Sequence, residues 1–427
     1  MVEGYRIDMT ELLDFYQKQI GERFSSIPWF KNLQESALTH LKKIGFPTNK
    51  HEDWKYTSVD ALLQHHFKSE DIPLNNDLLN MPDVQVPFAY KLSLINGALI
   101  GADDLVASFP KGVIIKSLKD AFIEHSDKIK PYLSKVMKEE NGFNSLNTAM
   151  MNNGLFIYLP KGVCLNEPIY ISHRQDKSNQ ASYLRHLIVL EQESSISIIE
   201  DYEGEACYFT SAITEASLEA KSKLTHYKIM RESNLAYHVG HIAVNQKENS
   251  QFDSHSFNIS GKLIRSDIAI NLSEPYARCL MNGVYLTNDN QHIDHHTVVR
   301  HEAPDCTSEQ DYKGILQGDS KAVFNGRIVV EKGANHTVAK QQNKNLLLSS
   351  NTEIDTKPQL EIFADDVICT HGATVGQLDE EALFYLATRG IGYEQACQYL
   401  VNAFITANLC YISDINIKSF IETLLNV

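Results

Sequence analysis

Cys369 and His371 stand two residues apart at the end of Pro358-Gln359-Leu360-Glu361-Ile362-Phe363-Ala364-Asp365-Asp366-Val367-Ile368-Cys369-Thr370-His371-Gly372-Ala373-Thr374-Val375-Gly376. The stretch reads as an alternating strand closing on a tight turn. In a strand, successive side chains point to opposite faces, so positions i and i+2 share one face. A thiolate and an imidazole side by side bind iron, zinc or a nascent cluster, or activate a nucleophile. One Cys and one His make half a metal site, so any remaining ligands come from elsewhere in the chain or from a partner.

A second constellation is His292-Ile293-Asp294-His295-His296-Thr297-Val298-Val299-Arg300-His301. On a strand, His292, Asp294 and His296 share one face and His295 takes the other. One Asp with two His has the chemistry of a non-heme iron or zinc site. The outer two lie about 13 Å apart along an extended strand, too far for one ion without a bend. The competing reading is a solvated or interface strand whose polar groups form ladders with its neighbours, His301 included.

Other reaction centres are absent from the sequence. There is no Gly-x-x-x-x-Gly-Lys-Ser/Thr loop, so ATP hydrolysis is not expected in this chain, and no Gly-x-Ser-x-Gly, His-Glu-x-x-His or Gly-x-Gly-x-x-Gly. Asp365 and Asp366 fall on opposite strand faces, which argues against a shared acid/base site. The seven cysteines, at 164, 207, 279, 306, 369, 397 and 410, form no Cys-x-x-Cys pair. That pattern argues against a disulfide framework and writes no self-contained four-cysteine cluster site. Cys164, Cys207, Cys397 and Cys410 are expected to be small buried hydrophobes.

Composition narrows the class further. The 427 residues are 43% hydrophobic and 22% charged, an ordinary globular balance with room for two or three domains. A net charge of −15 argues against nucleic acid as a partner. No run approaches the roughly 18 to 20 apolar residues that span a bilayer, and the first residues lack the apolar segment of a signal peptide, so a cytoplasmic protein without a membrane partner is expected.

The elements that would position these residues fall into three regions. Residues 1–150 read as mostly helical and mixed. Met9 opens an amphipathic helix capped by Asp8 or Thr10. Leu33, Ala37, Leu38, Leu41 and Ile44 follow a helical period that Gly45 and Pro47 stop. Trp54 and Tyr56 are expected as packed anchors, and Ala121 to Lys138 as a helix. Residues 151–376 switch to period two, as in Leu187-Ile188-Val189-Leu190, with turn signals every ten to twenty residues. More than 200 residues of short strands without intervening helices exceed a simple sandwich and suit a solenoid. Residues 377–427 return to helix. Asp379 caps the first, Gly390-Ile391-Gly392 breaks it, a second runs over 393–411, and a third starts near Asp414. This tail either caps an open solenoid end or offers a docking face.

Three segments together resemble the SufB/SufD family of iron–sulfur cluster assembly scaffolds. They are Phe46-Pro47-Thr48-Asn49-Lys50-His51-Glu52-Asp53-Trp54-Lys55-Tyr56-Thr57, the region Asp294…Thr297…His301…Cys306-x-Ser308-x-Gln310-x-Tyr312-Lys313 with Phe324-Asn325-Gly326, and the Cys369-x-His371 stretch. The Trp-Lys-Tyr-Thr segment favours the SufD branch. The resemblance implies a mainly β chain, with a right-handed parallel β-helix core over 151–376. It implies a non-catalytic scaffold subunit whose β-helix end joins a SufB-like sister subunit. The C-terminal helices would bind a SufC-like ABC-type ATPase, through Phe384, Tyr385, Arg389 and Gly390. A cysteine desulfurase system would supply sulfur indirectly, chiefly through the sister subunit. His371, with Cys369 beside it, would help form the nascent cluster, and Asp294, Thr297 and His301 would have structural or interface use. No cofactor held stably by the isolated chain is implied, only a transient iron or iron–sulfur cluster in the complex. An open β-helix end would also let the isolated chain form a homodimer. The competing reading is a stand-alone β-solenoid carbohydrate-active protein, which would need clustered acids on one strand face.

Overall fold

The computed structural model describes residues 9–69, 86–100, 109–137, 141–151 and 153–426. Among these, two mainly parallel sheets stack into a β-solenoid. The ten-stranded sheet contains Ala98–Ile100 and Tyr90–Ile95, then runs through Ile169–Gln175, Ser195–Gly204, Lys223–Arg231, Gln251–Ser260, Arg278–Thr287, Thr307–Leu316 and Thr337–Leu347 to Val367–Gly376. The nine-stranded sheet begins with Ile114–Ser117 and Leu155–Leu159. It continues through Ala181–Leu190, Phe209–Leu218, Tyr237–Gln246, Leu263–Leu272, His292–His301 and Lys321–Val330 to Glu353–Ile362. Each coil crosses both sheets, and strands pair in register with the coil before and after, as in Ser195↔Lys223 and Lys223↔Gln251. The sheets therefore take in strands from Tyr90 onward, ahead of the boundary expected at residue 151.

Alternation decides what faces where. Ile198 and Tyr202 point into the bore with Leu184, Ile188 and Met230. Ile199 points outward, where Tyr227, Ile229, Phe257, Val284 and Ile315 form a stripe covered by Ile405, Leu409, Ile417, Ile421 and Leu425 of the C-terminal helices. On the other flank, Tyr183, Phe209, Tyr237 and Leu263 of the nine-stranded sheet are covered by Leu12, Tyr16, Leu41, Trp54 and Phe143 of the N-terminal segment. Burial on both faces explains why Ala181–Leu190 is buried at every position and reads as a continuous run rather than a clean alternation.

The coils turn at a column of left-handed corner residues, one per coil: Gly162, Glu193, Lys221, Asn249, Tyr276, Asp305 and His336, all with φ between 55° and 73°. Several of these N–H groups donate to the next coil, for example Glu193 N to Ala220 O at 3.0 Å and Lys221 N to Glu248 O at 2.8 Å. The following residue closes the turn. Ser194, Ser222, Ser250 and Thr337 each donate a hydroxyl to the carbonyl three residues back. Cys306 occupies the same place in this column, with its Sγ 3.5 Å from Pro304 O and 3.3 Å from Glu274 O. The Cys-x-Ser-x-Gln segment is thus a corner followed by inward polar rungs: Ser308 contacts His301, and Gln310 accepts from Thr297 and Gln341.

The helices Met9–Gly21 and Pro28–Ile44 form as expected, the second stopped by Gly45 at φ 67°. Asp8 and Lys138 lie outside the described residues. Several expectations are corrected. Trp54 is buried but Tyr56 is exposed, since Glu52–Trp54 is a single 3₁₀ turn that presents only the indole to the sheet. The segment after Ala121 is not one helix: Leu118–Glu124 ends at His125, and Ser126–Ile129 follows as a separate turn. Of the cysteines, Cys279 and Cys306 are the buried ones, whereas Cys164 and Cys410 are exposed and Cys207 and Cys397 half-buried. The C-terminal helices Glu380–Thr388, Tyr393–Leu409 and Ile415–Leu425 do not cap the solenoid end. They fold back along the outer flank of the ten-stranded sheet, pinned by Asn282 Nδ2 to Asn408 Oδ1 at 2.8 Å and Lys313 Nζ to Phe404 O at 2.7 Å. Among the described residues, the last coil is left open.

Candidate functional site

Cys369 and His371 lie on that open end. Their strand, Val367–Gly376, pairs on one side with Thr337–Leu347, in the register Ala339↔Cys369 and Gln341↔His371, and among the described residues has no strand on the other. One coil earlier, Val338 N–H donates to Cys306 O. Continuing that alternation turns the N–H groups of Ile368, Thr370 and Gly372 inward and leaves those of Cys369, His371 and Ala373 at the free edge. Cys369 packs partly against Ile328, Val330 and Ala339, while His371 is exposed. Burial pushes the Cys369 thiol above its usual pKa, so the isolated chain holds it protonated at neutral pH and a metal would have to displace the proton.

The two terminal strands differ in kind. Glu353–Ile362 carries charges and a central proline, Pro358, the usual means of blunting a sheet edge. Val367–Gly376 contains no Asp, Glu, Lys, Arg or Pro, and Ile368 beside the Cys/His pair is 66% exposed. An unblunted edge with apolar flanks is a template for strand addition.

A second exposed surface lies on the helix Glu380–Thr388. Asp379 caps it through Glu381 N at 2.9 Å, and none of its residues is buried although it reads Glu-Glu-Ala-Leu-Phe-Tyr-Leu-Ala-Thr. Phe384 is 72% and Tyr385 57% exposed. Arg389 stacks on Tyr385, its guanidinium carbon 5.3 Å from the ring centroid, with Nη2 3.2 Å from the hydroxyl. Gly390 turns the chain at φ 80°. Between this helix, the next one and the sheet flank lies a cavity of about 650 Å³ reaching Leu286, Leu347 and Val401.

The His292–His301 strand is not near either surface. His292, Asp294 and His296 face the N-terminal segment and form a clamp. Asp294 Oδ2 accepts from Arg265 and Thr57, His296 Nε2 lies 3.1 Å from Oδ1, and Thr57 Oγ1 is 2.9 Å from His292 Nε2. Arg265 also bonds Asp267 at 2.8 Å and Asp53 O at 2.8 Å, and sits 4.3 Å from the Trp54 ring. Two segments singled out separately in the sequence therefore meet, and Arg265, which no sequence pattern marked, joins them. His295 points into the bore, 2.6 Å from Asn258, and His301 lies 2.8 Å from Ser308. Arg185 and Glu215, fully buried at 2.6 Å, form a parallel clamp through Ser134 and Asn147.

Burial alone would raise the Asp294 carboxyl, but Arg265, then His296 and His292, hold it well below the usual carboxylate range. A depressed pKa contributes stability above the unfolded value of about 3.9, and that stability is lost as pH falls below it. Asp294→Asn is expected to cost about 3–5 kcal/mol at pH 7 by leaving Arg265 short of a buried partner. Denaturant unfolding at pH 7 and pH 3.5 checks this: the gap between wild type and variant should narrow at the lower pH, and a gap independent of pH would contradict the clamp.

The sequence profile of the SufBD core domain, of the SUF system for FeS cluster assembly, matches residues 173–404, and that of the SufBD protein N-terminal region matches residues 8–171. The chain is 30% identical over 386 residues to the iron–sulfur cluster assembly protein SufD of Escherichia coli (strain K12), covering 87% of this chain and 86% of that protein. It is 28% identical over 408 residues to the iron–sulfur cluster assembly protein SufB of Bacillus subtilis, covering 92% and 84% respectively. A SufBD family protein of Synechocystis is 26% identical over 387 residues, or 87% of this chain and 85% of its own. Two profiles that together span nearly the whole chain, and a relative 30% identical over 86% of its own length, show the family: the chain belongs to the SufBD family of iron–sulfur cluster assembly proteins.

Proposed function

We propose that this chain is the SufD-type half of a two-solenoid scaffold, non-catalytic in itself, on which an iron–sulfur cluster is assembled as cargo. The observation that carries the reading is the terminal strand Val367–Gly376, free of Asp, Glu, Lys and Arg and paired on one side alone among the described residues, which presents Cys369 and His371 at an open solenoid end. A SufB-like chain would add its own terminal strand to this edge and supply the ligands that one Cys and one His lack. Sulfur would reach the seam from a cysteine desulfurase system through the sister chain, and His371 would hold iron or the nascent cluster at the seam. No stably held iron–sulfur cluster is assigned to the isolated chain. The same edge would let the isolated chain pair with a second copy.

The exposed helix Glu380–Thr388 would receive a SufC-like ABC-type ATPase. Phe384 and Tyr385 are exposed aromatic anchors, Arg389 is held against Tyr385, and Gly390 gives the turn that presents them. The double variant Phe384→Ala/Tyr385→Ala is expected to bind the ATPase at least about 100-fold more weakly, some 2.7 kcal/mol. Its own stability should change by no more than about 0.5 kcal/mol, since neither ring is buried. Calorimetric titration with the ATPase subunit checks it, and unchanged affinity would rule out this docking face. A carbohydrate-active reading has less support, because helices cover the outer flanks of both sheets where a polysaccharide groove would lie.

A further inference from the structure

The first coils of the bore hold a polar cluster that the open end does not use. His173, His186 and Glu200 each offer one ligand atom, and the three atoms lie within 4.8 Å of one another. All three point inward by strand alternation: Ile169 and Ile171 precede His173, Leu184 and Ile188 flank His186, and Ile198 and Tyr202 flank Glu200, all in the bore cluster. Each of the three is at most 3% exposed.

The hydrogen bonding around them is lopsided. Both ring nitrogens of His173 and both of His186 are buried without a hydrogen-bond partner. A buried polar atom left unsatisfied costs on the order of 1–3 kcal/mol, so two such rings side by side need a reason. Glu200, by contrast, is held in place. Its Oε2 accepts from the Tyr202 hydroxyl at 2.6 Å, its Oε1 accepts from Thr214 at 2.9 Å, and His226 Nε2 lies 3.1 Å from Oε1. His173 is stacked on Tyr202, 4.2 Å between centroids. Glu200 is thus oriented by an outer ring of hydrogen bonds, as ligating carboxylates are, while the two imidazoles are held by ring contacts and keep their nitrogens open to a ligand.

We infer that His173, His186 and Glu200 bind one first-row divalent cation, of the Fe²⁺ or Zn²⁺ kind, inside the solenoid. Two imidazoles and one carboxylate are the donor set both ions take. Ligand atoms around a tetrahedral ion at about 2.1 Å sit about 3.4 Å apart, so atoms within 4.8 Å of one another close on it with movements of about 0.7 Å or less each. Burial holds both imidazoles in the neutral, ligating form. Lys228 stands opposite Glu200 on the next coil, but Glu232 adds a second carboxylate beside it, which leaves room for a dication. A small pocket bordered by Gly97, His173, Thr210 and Glu232 reaches the cluster from the first coil. The site lies six strands from Val367–Gly376, about 29 Å at 4.8 Å per strand, and is separate from the Cys369/His371 pair.

The test is a Co²⁺ titration of the full-length, chelator-stripped chain, followed by its visible ligand-field absorption. The Cys369→Ser/His371→Ala variant should take up about one Co²⁺ per chain with the spectrum of a nitrogen and oxygen site, as wild type does. His173→Phe, which keeps the stack on Tyr202, and Glu200→Gln should each weaken uptake at least about tenfold while circular dichroism stays native. Failure of the Cys369→Ser/His371→Ala variant to bind Co²⁺ would overturn the assignment, whatever the folding of the other variants. Undiminished binding by folded His173→Phe would overturn it equally.

Discussion

Replacing His371 with alanine is expected to leave the chain folded and paired with its sister subunit while cluster formation falls by roughly 10- to 100-fold, the range seen when a group around a metal is lost. The side chain is exposed and makes no contact on which the fold depends, so its removal should cost no more than about 0.5 kcal/mol of stability. On the proposed reading, its use would lie in what it offers across the edge. Cys369 cannot substitute for it, because partial burial keeps that thiol protonated until something displaces the proton. Cluster formed on the co-expressed complex, read by absorbance and iron content, gives the answer, and His371→Cys should recover part of the yield by restoring a ligand. Full yield in the alanine variant would remove His371 from the site.

The second large effect concerns the edge itself. Ala373→Pro is expected to weaken pairing with a SufB-like chain by at least about 100-fold, some 2.7 kcal/mol. Ala373 is exposed, and its N–H is among those turned to the free side. Proline there removes a donor from the seam while the inward ladder to Thr337–Leu347 stays intact, as edge strands allow. Pro358 already occupies the other terminal strand without disrupting its pairing to Lys321–Val330. Native circular dichroism with lost co-purification is the predicted pair of results. Co-purification at wild-type level would mean that the two chains meet on another surface.

The same residues show what a sequence can and cannot convey. The i, i+2 spacing of Cys369 and His371 placed them on one face of a strand, because that periodicity is local. That the strand is the last one, open on one side, depends on how every coil before it stacks. The corner column was hidden for a related reason. Asn249 and Asp305 are ordinary turn formers, but Glu193, Lys221 and Tyr276 adopt the same left-handed geometry because the coils above and below impose it. The histidine run suggested a metal, and the structure instead places Arg265, from the neighbouring strand, against Asp294. No pattern in the chain points to that arginine, nor to His173, His186 and Glu200, which three different strands bring together. The C-terminal helices were legible in place, with the cap at Asp379 and the third starting near Asp414, yet their amphipathic stripe fits a sheet flank as well as a solenoid end, and the flank is where they pack.

The central proposal is that this chain is one half of a two-solenoid scaffold, each half receiving one ATPase subunit. Size-exclusion chromatography with light scattering, on the chain co-expressed with its SufB-like and SufC-like partners, tests it most directly. The account predicts one particle containing one copy of this chain, one sister chain and two ATPase copies, reduced by one ATPase in the Phe384→Ala/Tyr385→Ala variant, which leaves the helices covering the sheet in place. A chain that elutes alone or only with itself in the presence of both partners would contradict it.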